Sequence, residues 1–77
     1  MDTVYWPERI SVNPEIMGGV PCVSGTRIPV ATILEHIAQG ESAEDLVRDY
    51  PRLNFEGIQA ALVYAAEVVT DTHFAVA

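Results

Sequence analysis

The chain has 77 residues and a formal net charge of −7, and 49% of its residues are hydrophobic against 19% charged. A chain of this length forms one domain and buries only about 60% of the surface that its unfolded state exposes. Eleven acidic residues against four basic ones disfavour a free nucleic-acid binder, which normally presents a basic surface to phosphates. The excess of acid suits a basic protein partner, or it simply keeps an apolar chain soluble.

The chemistry-bearing residues are few and scattered. Cys22 is the only cysteine, so no intrachain disulfide is predicted and a reducing, cytoplasmic compartment fits. Cys22, His36 and His73 do not have metal-ligand spacing, so no metal, cofactor or catalytic residue is predicted. No basic leader and no run near 20 apolar residues occurs, so neither a signal peptide nor a membrane span is expected.

The N-terminal third is predicted to be an arm followed by short extended pieces. Residues 1–8 form the arm, in which Pro7 prevents regular structure and Trp6 packs either on its own core or on a partner. Residues 9–12 alternate polar and apolar, as a half-buried strand does. We expect residues 10–12 to pair with residues 20–23 or 26–28 in a small sheet.

Residues 18–30 form a connector rich in glycine and proline. These residue types take or impose special backbone angles, so they disfavour a helix and favour a shaped loop. The residues predicted to hold this structural motif are Gly19, Pro21, Gly25, Thr26, Arg27 and Pro29. Arg27 is expected to be at least half-buried and to donate to backbone carbonyls, with partner recognition as the alternative.

Three helices are predicted, over about residues 30–39, 43–49 and 55–69. Pro29 suits the first helical position of the first helix, and Gly40 suits its end. Ser42 and Asn54 are expected to be the N-caps of the second and third helices. Ser42 with Asp45 three residues later is a weaker version of the capping box.

The third helix has two apolar faces. Ile58, Leu62, Ala65 and Val69 form one of them. The neighbouring face is rich in small residues and consists of Gly57, Ala61, Tyr64 and Val68. Because a small chain has little core to cover both, the small-residue face is expected to contact another copy or a partner. Trp6, Ala61, Tyr64 and Val68 are therefore the predicted contact residues of a homodimer or complex.

A short helix, a tight connector and a longer helix also form the outline of a helix-turn-helix. The side chains that could contact DNA are Arg48, Arg52, Asn54 and Gln59. Glu56 and Glu67 on the same helix would repel phosphates. The alternative for Arg48 is an ion pair with Glu44 or Asp45 on its own helix.

One extended pattern resembles a known family. Its segments are Gly18–Val30, preceded by residues 13–16 and followed by Gly40-Glu41-Ser42, Asp49-Tyr50-Pro51 and residues 60–66. Together they resemble a small bacterial family catalogued as domain-of-unknown-function family 433. The resemblance implies a homeodomain-like helix-turn-helix fold, so we expect a mainly α, three-helix core with a short N-terminal β element. The domain is expected to cover residues 9–70, with residues 71–77 as a tail.

The resemblance also implies a function. Members look like antitoxins of the VapB type, often encoded beside a PIN-like ribonuclease toxin. The chain is therefore expected to bind and neutralise such a toxin, and to autoregulate its operon through operator DNA. A stand-alone transcriptional regulator and a structural oligomerisation module are the alternatives.

Overall fold

The computed structural model describes residues 8–71, which fold into three helices and a small antiparallel sheet. The elements in chain order are β1 (Ile10–Ser11), β2 (Cys22–Val23), α1 (Val30–Ala38), α2 (Ala43–Asp49) and α3 (Phe55–Asp71), with a 3-10 turn at Met17–Gly19 between the strands. This order confirms the mainly α, three-helix fold with a short N-terminal β element that the sequence predicts. Trp6 and the predicted tail after residue 71 lie outside the described residues.

The two strands pair as expected, with Ile10 opposite Val23 and Ser11 opposite Cys22. A two-residue ladder is not stable alone and must pack on something larger. Here both strands contact α3, and Ile10 and Val23 are buried in the core. The sheet is therefore a platform under the third helix rather than an independent hairpin.

Local side-chain chemistry defines the helix boundaries. Pro29 is extended and lies just outside α1 as its N-cap, one position earlier than predicted. The chain leaves α1 through Gly40, whose φ of +95° favours glycine. Ser42 and Asp45 form a complete capping box at the start of α2. The Asn54 side chain accepts a hydrogen bond from the Gly57 amide at 2.7 Å, so Asn54 is the N-cap of α3, as predicted.

One contiguous core joins all elements. It consists of Ile10, Val23, Val30, Ile33, Leu46, Leu53, Ile58, Ala60 and Ala61. Leu34 and Ile37 of α1 are only partly buried and pack against this core. The burial of these side chains supplies most of the driving force for folding in so small a domain.

The small-residue face of α3 was predicted to contact another chain, and the structure corrects this for two of its residues. Gly57 and Ala61 are buried within the domain, so neither is available to a second chain. The reason is close packing: a Cβ added at Gly57 would lie 3.0 Å from the Val23 Cγ1 atom. Small residues let the first half of the helix approach the sheet, whereas Val68, near the end of the same face, is 40% exposed.

The structure also corrects the prediction that Arg27 of the connector is at least half-buried. Arg27 is exposed, and within residues 8–71 its side chain donates to no carbonyl. Val23 O already accepts from the amide and hydroxyl of Thr26, at 3.0 and 2.7 Å. Ile28 O accepts from the Val23 amide, and Pro21 O accepts from the Val30 amide. The loop therefore satisfies its own carbonyls through backbone amides and Thr26, and the guanidinium is left at the surface.

Candidate functional site

The outer face of α3 carries a row of exposed apolar side chains. Phe55, Leu62 and Val69 are 49%, 42% and 65% exposed. They are seven residues apart, so on a helix of 3.6 residues per turn they lie within about 40° of one another. We call these three residues the apolar stripe; it runs about 21 Å along the helix.

An apolar groove lies beside the stripe, between α1, α3 and the chain before β2. Its volume is about 260 Å³. The residues that line it are almost all apolar: Val20, Pro21, Val30, Ala31, Leu34, Tyr64, Ala65, Val68 and Val69. Val69 belongs to both the stripe and the groove, so the two form one continuous apolar surface. Tyr64 and Val68, two of the predicted contact residues, lie in this groove.

Exposed polar side chains lie further around α3 from the apolar stripe. Gln59 is exposed, and helical spacing places it about 40° from Phe55 and about 60° from Leu62. Glu56 and Glu67 are exposed too, about 100° and 120° from Phe55 and about 120° and 140° from Leu62. The apolar stripe therefore has a polar edge at Gln59, as apolar interface centres commonly do, and the two carboxylates lie beyond that edge.

Two of the four residues predicted to contact DNA already have partners within the domain. Arg48 donates to Asp45 Oδ1 at 2.9 Å, and its Nε lies 3.5 Å from Asp49 Oδ1. The neighbouring Asp45 raises the pKa of the Arg48 guanidinium. Arg48 thus forms ion pairs on its own helix, which is the predicted alternative to DNA contact. Arg52 is exposed and has no ion pair within residues 8–71.

Asn54 also has a hydrogen-bond partner within the domain, because its side-chain oxygen accepts from the Gly57 amide and so caps α3. Gln59 is exposed on α3, but Glu56 is exposed on the same helix. The structure therefore places Arg52, which forms no ion pair with residues 8–71, shortly before the beginning of α3.

Sequence reasoning missed a polar cluster between α1 and α2. His36 Nδ1 hydrogen-bonds to Glu41 Oε2, and His36 Nε2 lies 3.2 Å from the Tyr50 hydroxyl. A carboxylate only accepts, so Nδ1 carries the proton, and in the neutral ring Nε2 accepts from Tyr50. The His36 and Tyr50 rings also meet edge to face, with centroids 5.7 Å apart. The cluster ties together the ends of α1 and α2, and the five-residue separation of His36 from Glu41 gives no helical signal for it.

A scan of family models identifies the chain's relatives. The family described as "Protein of unknown function (DUF433)" matches residues 10–65, which is most of the domain. The chain is a member of the DUF433 family. The matched region includes Arg27, Arg52 and most of α3, whereas Val68 and Val69 lie beyond its end.

Two DUF433-related proteins show how far the likeness extends. Uncharacterized protein y4eO of Sinorhizobium fredii is 40% identical over 58 residues, which is 75% of this chain but 26% of that protein. A solved DUF433 member from Anabaena variabilis has a TM-score of 0.75 and 32% identity, covering 82% of this chain and 62% of that one. The chain therefore spans about a quarter of the curated relative, and the similarity concerns the domain.

Two kinds of feature are absent from the described part of the DUF433 domain. Between residues 8 and 71, no three His, Cys, Asp or Glu side chains are grouped so that they could hold a metal ion. No helix in the same range has both the length and the apolarity that crossing a bilayer requires. The described surface of the domain presents apolar, acidic and, at a few positions, cationic side chains.

Proposed function

We propose that this DUF433 chain is an antitoxin-like protein that binds and neutralises a PIN-like RNase toxin in the cytoplasm. The observation that carries the proposal is the apolar surface of α3, which the domain leaves uncovered although the chain is small. Phe55, Leu62 and Val69 supply the kind of large apolar contacts that concentrate binding energy at interfaces.

The charge of the chain supports a basic partner. The net charge is −7, and Glu56 and Glu67 are exposed on the same helix as the apolar stripe. A nuclease must attract phosphates, so its substrate-binding surface is basic. The acidic side of α3 would attract that surface, and docking of the apolar stripe beside it would block access of RNA to the metal-dependent active site.

The test uses the PIN-like RNase encoded beside this gene, purified and assayed on a fluorescent RNA with Mg²⁺. Adding the chain is expected to inhibit the RNase with a one-to-one end point. The variant Leu62→Asp is expected to weaken inhibition about thirtyfold or more, because it places a charge in the centre of the apolar surface.

The matched control is Val12→Asp. Val12 is 54% exposed, a little more than Leu62, but it follows β1 and belongs to neither the stripe nor the groove. This variant is expected to inhibit like the wild type. An RNase that stays fully active under an excess of folded wild-type chain would contradict the proposal, as would equal losses in the two variants.

Operator binding is the second candidate function, and one observation favours it: Arg52 lies exposed immediately before α3, the helix that a helix-turn-helix would use for recognition. Arg52→Ala is then expected to weaken binding to the operon's promoter, with a steep salt dependence in the wild type. Arg48→Ala is expected to have a much smaller effect, since Arg48 is already neutralised. Equal effects of the two variants would argue against a defined DNA surface.

A homodimer, and with it a structural oligomerisation role, is the third candidate. A second copy could cover the apolar stripe and groove, including Tyr64 and Val68. Sedimentation equilibrium of wild type and Leu62→Asp tests this: a dimer that becomes a monomer in the variant supports it. A wild type that stays monomeric at high micromolar concentration excludes it.

A further inference from the structure

Two of the four arginines lie on one cavity. Arg27, from the connector after β2, and Arg52, from the connector before α3, line a cavity of about 510 Å³. The other described residues on its wall are Ile16, Gly25 and Thr26, so none of the described lining residues is acidic. In a chain with eleven carboxylates, this is a locally cationic concavity.

Neither guanidinium is neutralised by the residues that the structure describes. The ion pairs between residues 8 and 71 that involve an arginine all belong to Arg48. Arg27 and Arg52 make none, and both are exposed. Two cations that line one cavity without a counter-charge repel each other, so an anion bound between them would lower the free energy of the arrangement.

Loop backbone adds donors at the same place. Gly25 has a φ of +79°, and its amide and that of Arg27 donate to no acceptor within residues 8–71. The Thr26 hydroxyl and amide are already used within the loop. These two amides flank Thr26 in the loop, and backbone amides of a turn can supplement arginine side chains in an anion site.

Arg52 also lines a second, smaller cavity of about 170 Å³. Its other lining residues are Glu8, Arg9, Val23, Ser24, Asn54 and Gly57. Glu8 is the acidic residue there, and it lies next to Arg9 in the chain. Arg9 and Arg27 thus each share a cavity with Arg52, and the cavity of Arg27 and Arg52 is the one whose described lining lacks a carboxylate.

We infer that Arg27 and Arg52 form a binding site for a phosphate group. A carboxylate carries one negative charge and is satisfied by a single guanidinium fork. Two guanidiniums match the charge of one phosphate monoester dianion, or of two neighbouring phosphodiesters that each carry one charge, and they offer enough donors for the phosphate oxygens. The site shares no lining residue with the apolar groove, so it goes beyond the proposed toxin binding and does not depend on it.

The test is a titration of the full ¹⁵N-labelled chain with inorganic phosphate and with AMP, at constant ionic strength. Saturable shifts are expected at the Gly25 and Arg27 amides and at the Nε signals of Arg27 and Arg52. Arg27→Gln and Arg52→Gln should each weaken binding about tenfold, the usual effect of losing one charge-assisted partner. Acetate, at the same ionic strength, should bind at least tenfold more weakly than phosphate.

Arg48→Gln is the matched control, because it removes an exposed arginine that already has acidic partners. It should leave phosphate binding unchanged. A 12-base-pair DNA duplex then identifies the source of the phosphate. Binding tighter than that of AMP, and lost in both Gln variants, assigns the site to a nucleic-acid backbone; binding no tighter assigns it to a free phosphate ester.

Three results would overturn the inference. One is the absence of saturation with phosphate and AMP in a chain that the spectrum shows to be folded. Another is equal weakening by Arg48→Gln and the two site variants, which would mean diffuse electrostatic attraction. The third is acetate binding as tight as phosphate binding, which would exclude a dianion site. None of these results bears on RNase inhibition, so the two proposals fail separately.

Discussion

Gly57 of α3 lies directly against Val23 of β2. A Cβ added at residue 57 would come within 3.0 Å of the Val23 Cγ1 atom, and Val23 is itself only 6% exposed. A β-branched side chain held in a packed core has no alternative rotamer of similar energy, so it cannot easily move away. The contact explains why the third helix tolerates a glycine in its first turn.

We therefore expect Gly57→Ala to destabilise the domain, although alanine is the better helix former. The gain in helix propensity is about 1 kcal/mol, whereas overpacking typically costs about 1–3 kcal/mol. Urea unfolding should show a net loss of about 1 kcal/mol. In a Val23→Ala background, which removes the crowding methyl group, the same substitution should be neutral or stabilising. A full stabilisation of the wild type by Gly57→Ala would contradict this account.

The capping box of α2 is expected to make stability depend on pH. A hydrogen bond from the Ser42 amide, then those involving the Ser42 hydroxyl and Arg48, lower the pKa of Asp45. A lowered folded-state pKa means that the ionised carboxylate stabilises the fold above the unfolded pKa of about 3.9 and that this contribution is lost as the pH falls through the folded value. Asp45→Asn should therefore be less stable than the wild type at pH 6, with the gap closing below about pH 4.

Denaturant unfolding at several pH values measures this difference. Glu44→Gln is the matched control, since Glu44 is an exposed acid of the same helical turn with no part in the capping box. It should retain the wild-type fall in stability below pH 4. A gap between wild type and Asp45→Asn that stays constant from pH 6 to pH 3 would show that the carboxylate is not linked to folding.

Cys22 is expected to be protected from thiol reagents in the folded chain. Its side chain is fully buried, burial raises the pKa of the thiol, and Sγ donates to Val20 O at 3.4 Å. Since only the exposed thiolate reacts, modification must wait for local or global opening. Reaction with a disulfide reagent should be about a hundredfold slower or more than in urea. Equal rates in the two conditions would contradict the burial.

The His36–Glu41–Tyr50 cluster is expected to contribute to stability. His36→Ala removes hydrogen bonds to both partners and should cost about 1–2 kcal/mol, measured by urea unfolding at pH 7. Tyr50→Phe removes only the bond to Nε2 and should cost about half as much. Glu35→Ala, an exposed neighbour on α1, is the control and should change stability little. A His36→Ala variant as stable as this control would mean that the cluster is incidental.

Local chemistry explains why the helix positions were predictable. Ser42, Asn54 and Gly40 mark boundaries through backbone groups a few residues away, and such short-range bonds can be read from sequence. α2 occupies the predicted residues 43–49, and α1 and α3 differ from their predictions by one or two residues at their ends. The pairing of residues 10–11 with residues 22–23 was one of two predicted pairings, because only two extended pieces followed residues 10–12.

The orientation of α3 was not predictable in this way. Its sequence has two apolar faces, and helical periodicity alone does not say which one faces the sheet. Gly57 and Ala61 turn inward because the sheet lies very close, a fact of tertiary packing that the helix sequence does not contain. Arg27 and Arg52 are 25 positions apart in the chain, so their convergence depends on how two connectors meet.

The spacing of the apolar stripe also constrains the geometry of whatever covers it. Phe55, Leu62 and Val69 recur every seven residues, and on a straight α-helix such a row drifts by about 20° per repeat. A straight helix that stays in contact with all three must therefore follow a slightly inclined line across α3. It would cross α3 at about 20°, as helices do in a left-handed coiled coil, and its side chains would pack as knobs into holes. This crossing angle is smaller than that of globin-type helix packing.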